Sequence, residues 1–216
     1  MTRDITHPVE IGPRRLQGLL GMPKNRSEGL IIFAHGSGSG RHSPRNNHVA
    51  AGLRSAGLAT LLLDLLTPEE ERDRANVFDI PLLAERLDLA TDWAARAAET
   101  SALHVGYFGA STGAAAALVA AAKGAARIHA VVSRGGRPDL AGEALDRVRA
   151  PTLLLVGSLD EQVLDLNREA YERLPGEKEL VVVPGAGHLF EEPGTLDQVV
   201  RQAALWFGRY LTGGDR

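Results

Sequence analysis

Short apolar runs separated by stretches of helical periodicity constrain this chain more than any other feature. The runs fall at 30–34 (LIIFA), 59–64 (ATLLLD), 104–108 (HVGYF), 129–133 (HAVVS), 152–156 (TLLLV) and 180–183 (LVVV). A strand covered by helices on both faces has no solvent side, so it reads as continuously apolar rather than alternating. Between the runs, 47–56, 81–99, 112–122, 163–174 and 196–211 read as helices. In 81–99, Leu82, Leu83, Leu87, Leu89, Ala90 and Trp93 form the apolar stripe. Strands alternating with helices predict a mostly parallel sheet joined by right-handed crossovers. Ahead of them, 9–11 and 16–21 flank Gly12-Pro13 and predict an antiparallel hairpin. The expected fold is α/β, with a doubly wound sheet.

At 216 residues, and with no long Pro, Gly or Ser linker, the chain is expected to form one domain over 1–216. A net charge of −3 gives no electrostatic reason to expect nucleic acid or an anionic membrane as partner. The absence of cysteine excludes disulfides, thiolate catalysis and cysteine metal sites. The first fifteen residues lack a signal-peptide core, and no apolar run reaches the ~18 residues of a membrane span. A cytoplasmic location is expected.

The densest chemical signal is 104–117, HVGYFGASTGAAAA. A strand enters Gly109-Ala110-Ser111-Thr112-Gly113 and leaves as an alanine-rich helix. G-x-S-x-G has meaning in that strand–turn–helix setting, because the serine must sit strained at the tip of a tight turn. Side chains two positions to either side would strike the strand or the helix. The helix N-terminus directs free N–H groups and its positive dipole end at the same point, favouring an oxyanion there. The bland reading makes Ser111 a helix cap in a glycine-rich turn.

A serine hydroxyl needs an imidazole to take its proton, and the imidazole needs a carboxylate to orient it. In this architecture the chain order is serine, acid, histidine. After Ser111 the only histidines are His129 and His188. His129 opens a strand and precedes the acid position, so packing at the strand end is its expected role. His188 lies in the loop Pro184-Gly185-Ala186-Gly187-His188, just past a strand. Asp160 begins the turn after TLLLV, with Glu161 and Asp165 as alternative acids, and capping the next helix is the other job open to Asp160. Three such residues in the right order, each just past a strand, are hard to attribute to chance.

These residues, with His35-Gly36-Ser37-Gly38, Gly157-Ser158-Leu159-Asp160-Glu161-Gln162-Val163, and Gly185-Ala186-Gly187-His188 followed by Phe190 and Pro193, resemble the α/β-hydrolase superfamily. Within it the chain is similar to the small, lidless dienelactone-hydrolase-like branch. The resemblance implies an α/β-hydrolase fold without a cap domain. It implies a catalytic triad of Ser111, Asp160 and His188, and an oxyanion hole from the backbone N–H groups of Ser37 and Thr112. It gives His35 the work of bracing the loop, and it implies no cofactor. One departure matters: the enzymes that name the branch carry a cysteine nucleophile, and this chain has none. A carboxylesterase-like action on small esters, thioesters or lactones, through an acyl-enzyme, is therefore expected over dienelactone cleavage. The expected partner is a small-molecule substrate.

Too few residues separate 133 from Pro151 for a helical lid. Arg41, Arg45, Arg134 and Arg137 fall in loops past strands, where solvated charge is the ordinary role. Arg134, beside Gly135-Gly136, is the one expected to bind an anionic group on the substrate. Two rival readings stay open. Gly36-Ser37-Gly38-Ser39-Gly40 invites a dinucleotide-dependent oxidoreductase with Asp64 on the ribose, although Arg41 stands where the third glycine belongs. A catalytically silent binding protein of the same fold is the other. A metal enzyme is disfavoured by scattered histidines and the lack of an H-E-x-x-H pair. The run Glu69-Glu70-Glu71-Arg72 is expected to be a solvated loop or helix start.

Overall fold

A computed structural model describes residues 5–27, 29–124 and 127–212. The chain opens with the antiparallel strands β1 (Ile5–Ile11) and β2 (Leu16–Met22), then β3 (Gly29–Ala34), α1 (Pro44–Ser55) and β4 (Ala59–Leu63). Two single-turn helices follow, α2 (Pro68–Glu71) and α3 (Arg74–Val77), and then α4 (Ile80–Ala94), β5 (His104–Ala110), α5 (Thr112–Lys123) and β6 (Ile128–Arg134). A 3-10 segment (Pro138–Arg147) leads into β7 (Thr152–Gly157), α6 (Glu161–Arg173), β8 (Lys178–Val183) and α7 (Thr195–Leu211). Among the described residues, eight strands form one sheet in the order β1-β2-β4-β3-β5-β6-β7-β8. β2 pairs antiparallel with both β1 and β4, and the remaining pairs are parallel.

Strand alternation divides the core in two. Leu30, Ile32 and Ala34 of β3 face one layer, which includes Leu83, Leu87 and Ala90 of α4 and the alanines of α5. Ile31 and Phe33 face the other, built with Val49 and Leu53 of α1 and Trp206 and Phe207 of α7. Both faces are covered, which is why the central strands read as unbroken apolar runs. β8 departs from that expectation. It is the edge strand, only Val183 in it is fully buried, and Val182 is exposed.

Helix starts follow capping chemistry that apolar periodicity does not register. Ser43 accepts from the Asn46 N–H with Pro44 in the first turn, so α1 begins at Pro44 rather than at 47. Asp79 caps α4 in the same way, and α4 ends at Ala94 rather than reaching residue 99. The acidic run is α2, closed by a capping box between Thr67 and Glu70. Glu70 is not simply solvated, because its carboxylate also takes Arg86 at 2.8 Å and Arg14 at 3.1 Å. Among the described residues, no helix is long and apolar enough to cross a membrane.

Candidate active site

The sheet order places β5 centrally, with β3 on one flank and β6, β7 and β8 on the other. Loops from these strands meet above their C-terminal ends, where open α/β sheets hold ligands. Ser111 stands between β5 and α5 at φ 51° and ψ −123°, strained for a residue with a side chain. Neighbouring elements hold it there. Its N–H donates to the Arg134 carbonyl at 3.3 Å, and its own carbonyl accepts the Ala114 and Arg137 N–H groups, each at 3.1 Å. A Cβ on Gly109 would collide with the backbone of Ala114, and one on Gly113 with the carbonyl oxygens of Ala34 and His35. Although Ser111 occupies the capping position of α5, its side chain makes no capping hydrogen bond. The cap reading therefore fails, and the hydroxyl is left for the cleft.

Asp160 likewise occupies the capping position of α6 without capping it. Its carboxylate instead accepts the His188 Nδ1–H at 2.7 Å, leaving Nε2 as the free imidazole nitrogen. Asp165 pairs with Arg168 at 2.9 Å, so the imidazole's carboxylate partner is Asp160. The acid and histidine loops are laced together. Gly185 N–H donates to Ser158 Oγ at 2.8 Å and Leu159 N–H to the Ala186 carbonyl at 2.9 Å. Ser111 and His188 line one cleft of about 240 Å³, with Ser37, Arg45, Arg134 and Leu189. Among the hydrogen bonds of the described residues none joins Ser111 Oγ to the imidazole, and such bonds commonly tighten only when substrate arrives.

On the β3 flank, His35 is buried and bridges two backbones. Nδ1 donates to the Gly36 carbonyl at 3.0 Å, and Nε2 accepts the Leu65 N–H at 3.0 Å. Both ring nitrogens are occupied in bracing the loop. Asp64 is engaged within the chain. It accepts the Arg41 N–H at 2.7 Å and pairs with the Arg41 guanidinium, clasping the same loop to the end of β4. Ser37 and Thr112, the two expected oxyanion donors, are brought together. The Ser37 N–H already donates to Thr112 Oγ1 at 3.2 Å. The Thr112 N–H, at the first position of α5, is one of the donors a helix cannot satisfy internally.

Arg134 is not in a loop. It ends β6 and is 7% exposed, with Nε and Nη1 buried and unpartnered. Its guanidinium lies 5.8 Å from the Phe190 ring centroid. Burial, with Arg45 nearby, brings its pKa down to about 10, so it stays charged at neutral pH. The other three arginines are committed: Arg41 to Asp64, Arg45 to Glu191 at 3.0 Å, and Arg137 to Asp139 at 2.7 Å. Two residues support this region: Asn167, which sequence patterns passed over, and Phe190, which the resemblance includes without announcing its packing. Asn167 of α6 is buried and donates to the Gly136 carbonyl at 3.0 Å. Phe190, buried at φ 56°, underlies Arg134, and no local pattern announces a positive φ at a phenylalanine. Among the described residues, no group of three or more acidic, histidine or cysteine side chains could hold a metal ion.

Comparison with known proteins accords with this architecture. A model of the dienelactone hydrolase family matches residues 16–206. A dienelactone hydrolase structure from Anabaena variabilis is 54% identical, with a TM-score of 0.91, covering 97% of this chain and 98% of that one. An esterase structure from Pyrococcus furiosus shares the fold at 17% identity and a TM-score of 0.76, covering 96% and 94% of the two chains. A Mycobacterium tuberculosis protein, named as a candidate phosphoribosyl transferase, is 59% identical over 211 residues. That match covers 98% of this chain and 47% of the relative, so the chain spans about half the length of the curated relatives it matches.

Proposed function

The chain belongs to the dienelactone hydrolase family, and from that premise we propose that it is a serine hydrolase of carboxylesterase type, with Ser111, His188 and Asp160 as its triad. The observation that carries the reading is the 2.7 Å Asp160–His188 bond beside a cleft that also holds the strained, uncapped Ser111. Ser111 Oγ attacks the ester carbonyl carbon while His188 Nε2 takes its proton, and Asp160 stabilises the imidazolium through Nδ1–H. The tetrahedral oxyanion forms between the Thr112 N–H and the Ser37 loop. Collapse breaks the carbon–oxygen bond to the leaving alcohol, which takes the proton from Nε2. Water, deprotonated by the same imidazole, then releases the acyl group and restores the serine.

Arg134 serves this reaction by binding an anionic group of the substrate, since it lines the cleft with Ser111 and His188 and carries a charge with no carboxylate partner among the described residues. The transferase in the mycobacterial name belongs, in this reading, to the half of those proteins outside the match. Fluorophosphonate treatment followed by intact-mass and peptide mapping should give one adduct, on Ser111. Ser111→Ala should fold normally and lose hydrolysis by up to about a millionfold. Labelling at another residue, or an active alanine variant, overturns the assignment.

A further inference from the structure

Buried amides ordinarily have partners, because an interior polar group left unpaired forfeits its hydration for nothing. Asn46, in the first turn of α1, departs from that rule at the wall of the Ser111 cleft. It is 2% exposed and lines the cleft with Ser111 and His188. Its Oδ1 is sealed without a donor, and Nδ2, the open end of the amide, meets no acceptor among the described residues. The helix start does not use this side chain. Ser43 Oγ accepts the backbone N–H of Asn46 at 3.4 Å, and the amide that fastens the turn is that of Asn47, which donates to the Arg41 and Ser43 carbonyls at 2.8 and 2.9 Å. Two asparagines thus stand side by side, one spent on the fold and one left for the cleft.

The residues around Asn46 are of the same kind. Ser39 and Ser43 also line the cleft, and neither hydroxyl donates to an acceptor among the described residues. The charge beside them, on Arg45, is paired with Glu191 at 3.0 Å, so this wall offers uncharged hydrogen-bonding groups. An amide donor next to two hydroxyls matches a group that is itself uncharged and both accepts and donates, which is a hydroxyl. A methyl group in its place would leave the amide as unpaired as it is now. A site holding a buried polar group for a substrate hydroxyl rejects the analogue without it far more strongly than an apolar pocket rejects an extra methylene. We infer that Asn46 is a specificity-determining residue whose Nδ2–H donates to a hydroxyl of the substrate, so that the preferred substrates are hydroxylated esters or lactones. The ester in this inference rests on the hydrolase reading, whereas the hydroxyl site can be read without turnover.

Ester pairs in which a hydroxyl replaces a methyl group of similar size test it. Ethylene glycol monoacetate and propyl acetate differ on the alcohol side, ethyl glycolate and ethyl propanoate on the acyl side. In at least one pair, wild type should favour the hydroxylated member in kcat/KM by roughly ten- to a hundredfold beyond the ratio for hydroxide-catalysed hydrolysis. Asn46→Leu, similar in size but without the amide, should return that ratio to the hydroxide value; Asn46→Ala makes the same comparison if the leucine variant does not fold. The melting temperature of Asn46→Leu should equal or exceed that of wild type, because an unpaired buried amide has been removed. In Ser111→Ala, ligand-observed NMR should show the same preference in binding, and the added Asn46→Leu change should abolish it. Indifference of wild type to the hydroxyl in both pairs, or a preference that survives in the Asn46 variants, overturns the inference. A lowered melting temperature with the ratio intact makes Asn46 a structural residue. A hydroxyl preference in binding, with no hydrolysis and no fluorophosphonate labelling of Ser111, would instead sustain the hydroxyl site and count against the hydrolase reading alone.

Discussion

Asp160 shows how a single residue is chosen among equivalent neighbours. Glu161 and Asp165 carry the same charge within the same stretch, yet the carboxylate at His188 Nδ1 is that of Asp160. A helix-capping position ordinarily turns an aspartate toward its own backbone, and here that local bond is given up for the imidazole. Asp160→Asn should therefore lower kcat by roughly 10⁴-fold, since the amide stabilises the wrong tautomer and cannot balance an imidazolium. Steady-state kinetics with Glu161→Gln as comparison checks this; greater sensitivity at Glu161 would move the assignment. Thr112 makes a second residue-scale case. Its hydroxyl holds the Ser37 N–H at 3.2 Å, so Thr112→Val unties the loop after β3, the proposed oxyanion loop, from α5. A net hydrogen bond of about 1 kcal/mol predicts a fall in kcat of several fold, recovered in Thr112→Ser. An unchanged valine variant would show that Ser37 needs no such tether.

At the scale of elements, the junction of β5 and α5 holds Ser111 in its tight turn because its backbone approaches β3 closely. Gly113 lies against the carbonyl oxygens of Ala34 and His35, the residues that end β3 and begin the oxyanion loop. Neither backbone nor strand can move aside as a flexible side chain would. Gly113→Ala is expected to destabilise the protein by about 3 kcal/mol or more, read as a lowered denaturation midpoint, and to lower activity in whatever protein remains folded. The run Ala114–Ala117 in α5 is fully buried for a related reason, as small side chains let the helix sit close to its neighbours. Periodicity found the longer helices of this chain but missed caps such as Ser43, and it did not register α3 or α2, where only the acidic run suggested a solvated loop or helix start. A helix of one turn is shorter than the window in which a 3.6-residue period can register.

Across the whole molecule, pH acts through a pair of histidines at the opposite ends of β5 and β6 from the cleft. His104 begins β5 and His129 lies near the start of β6, their rings stacked with centroids 4.3 Å apart. Burial, and then the charge of His104, lower the pKa of His129 below its ordinary value. In the unfolded chain His129 titrates near the usual histidine value of about 6.5. Below that pH the unfolded chain takes up a proton that the folded protein resists, so stability is lost as pH falls through this window. Thermal midpoints measured from pH 8 to pH 5 should drop in the wild type and drop less in His129→Phe, which keeps a ring for stacking. Parallel curves would assign the acid sensitivity to other groups.

Local properties of the chain determined the fold class and the outline of the candidate site. An apolar run or a glycine on either side of a serine acts within a few residues, so strands, the turn at Ser111, and the loops of Asp160 and His188 could all be located from sequence. The resemblance carried by those same residues supplied the oxyanion loop. Tertiary structure decided partners. Ser37 and Thr112 are 75 residues apart, and only the adjacency of β3 and β5 brings the N–H of one to the hydroxyl of the other. Arg134 and β8 follow the same logic. An arginine beside two glycines reads as a loop charge until β6 extends to include it, and LVVV reads as a doubly covered strand until it proves to be the sheet's edge. Burial and pairing depend on which elements lie side by side, and strand order is set by the packing of the whole core rather than by spacing along the chain.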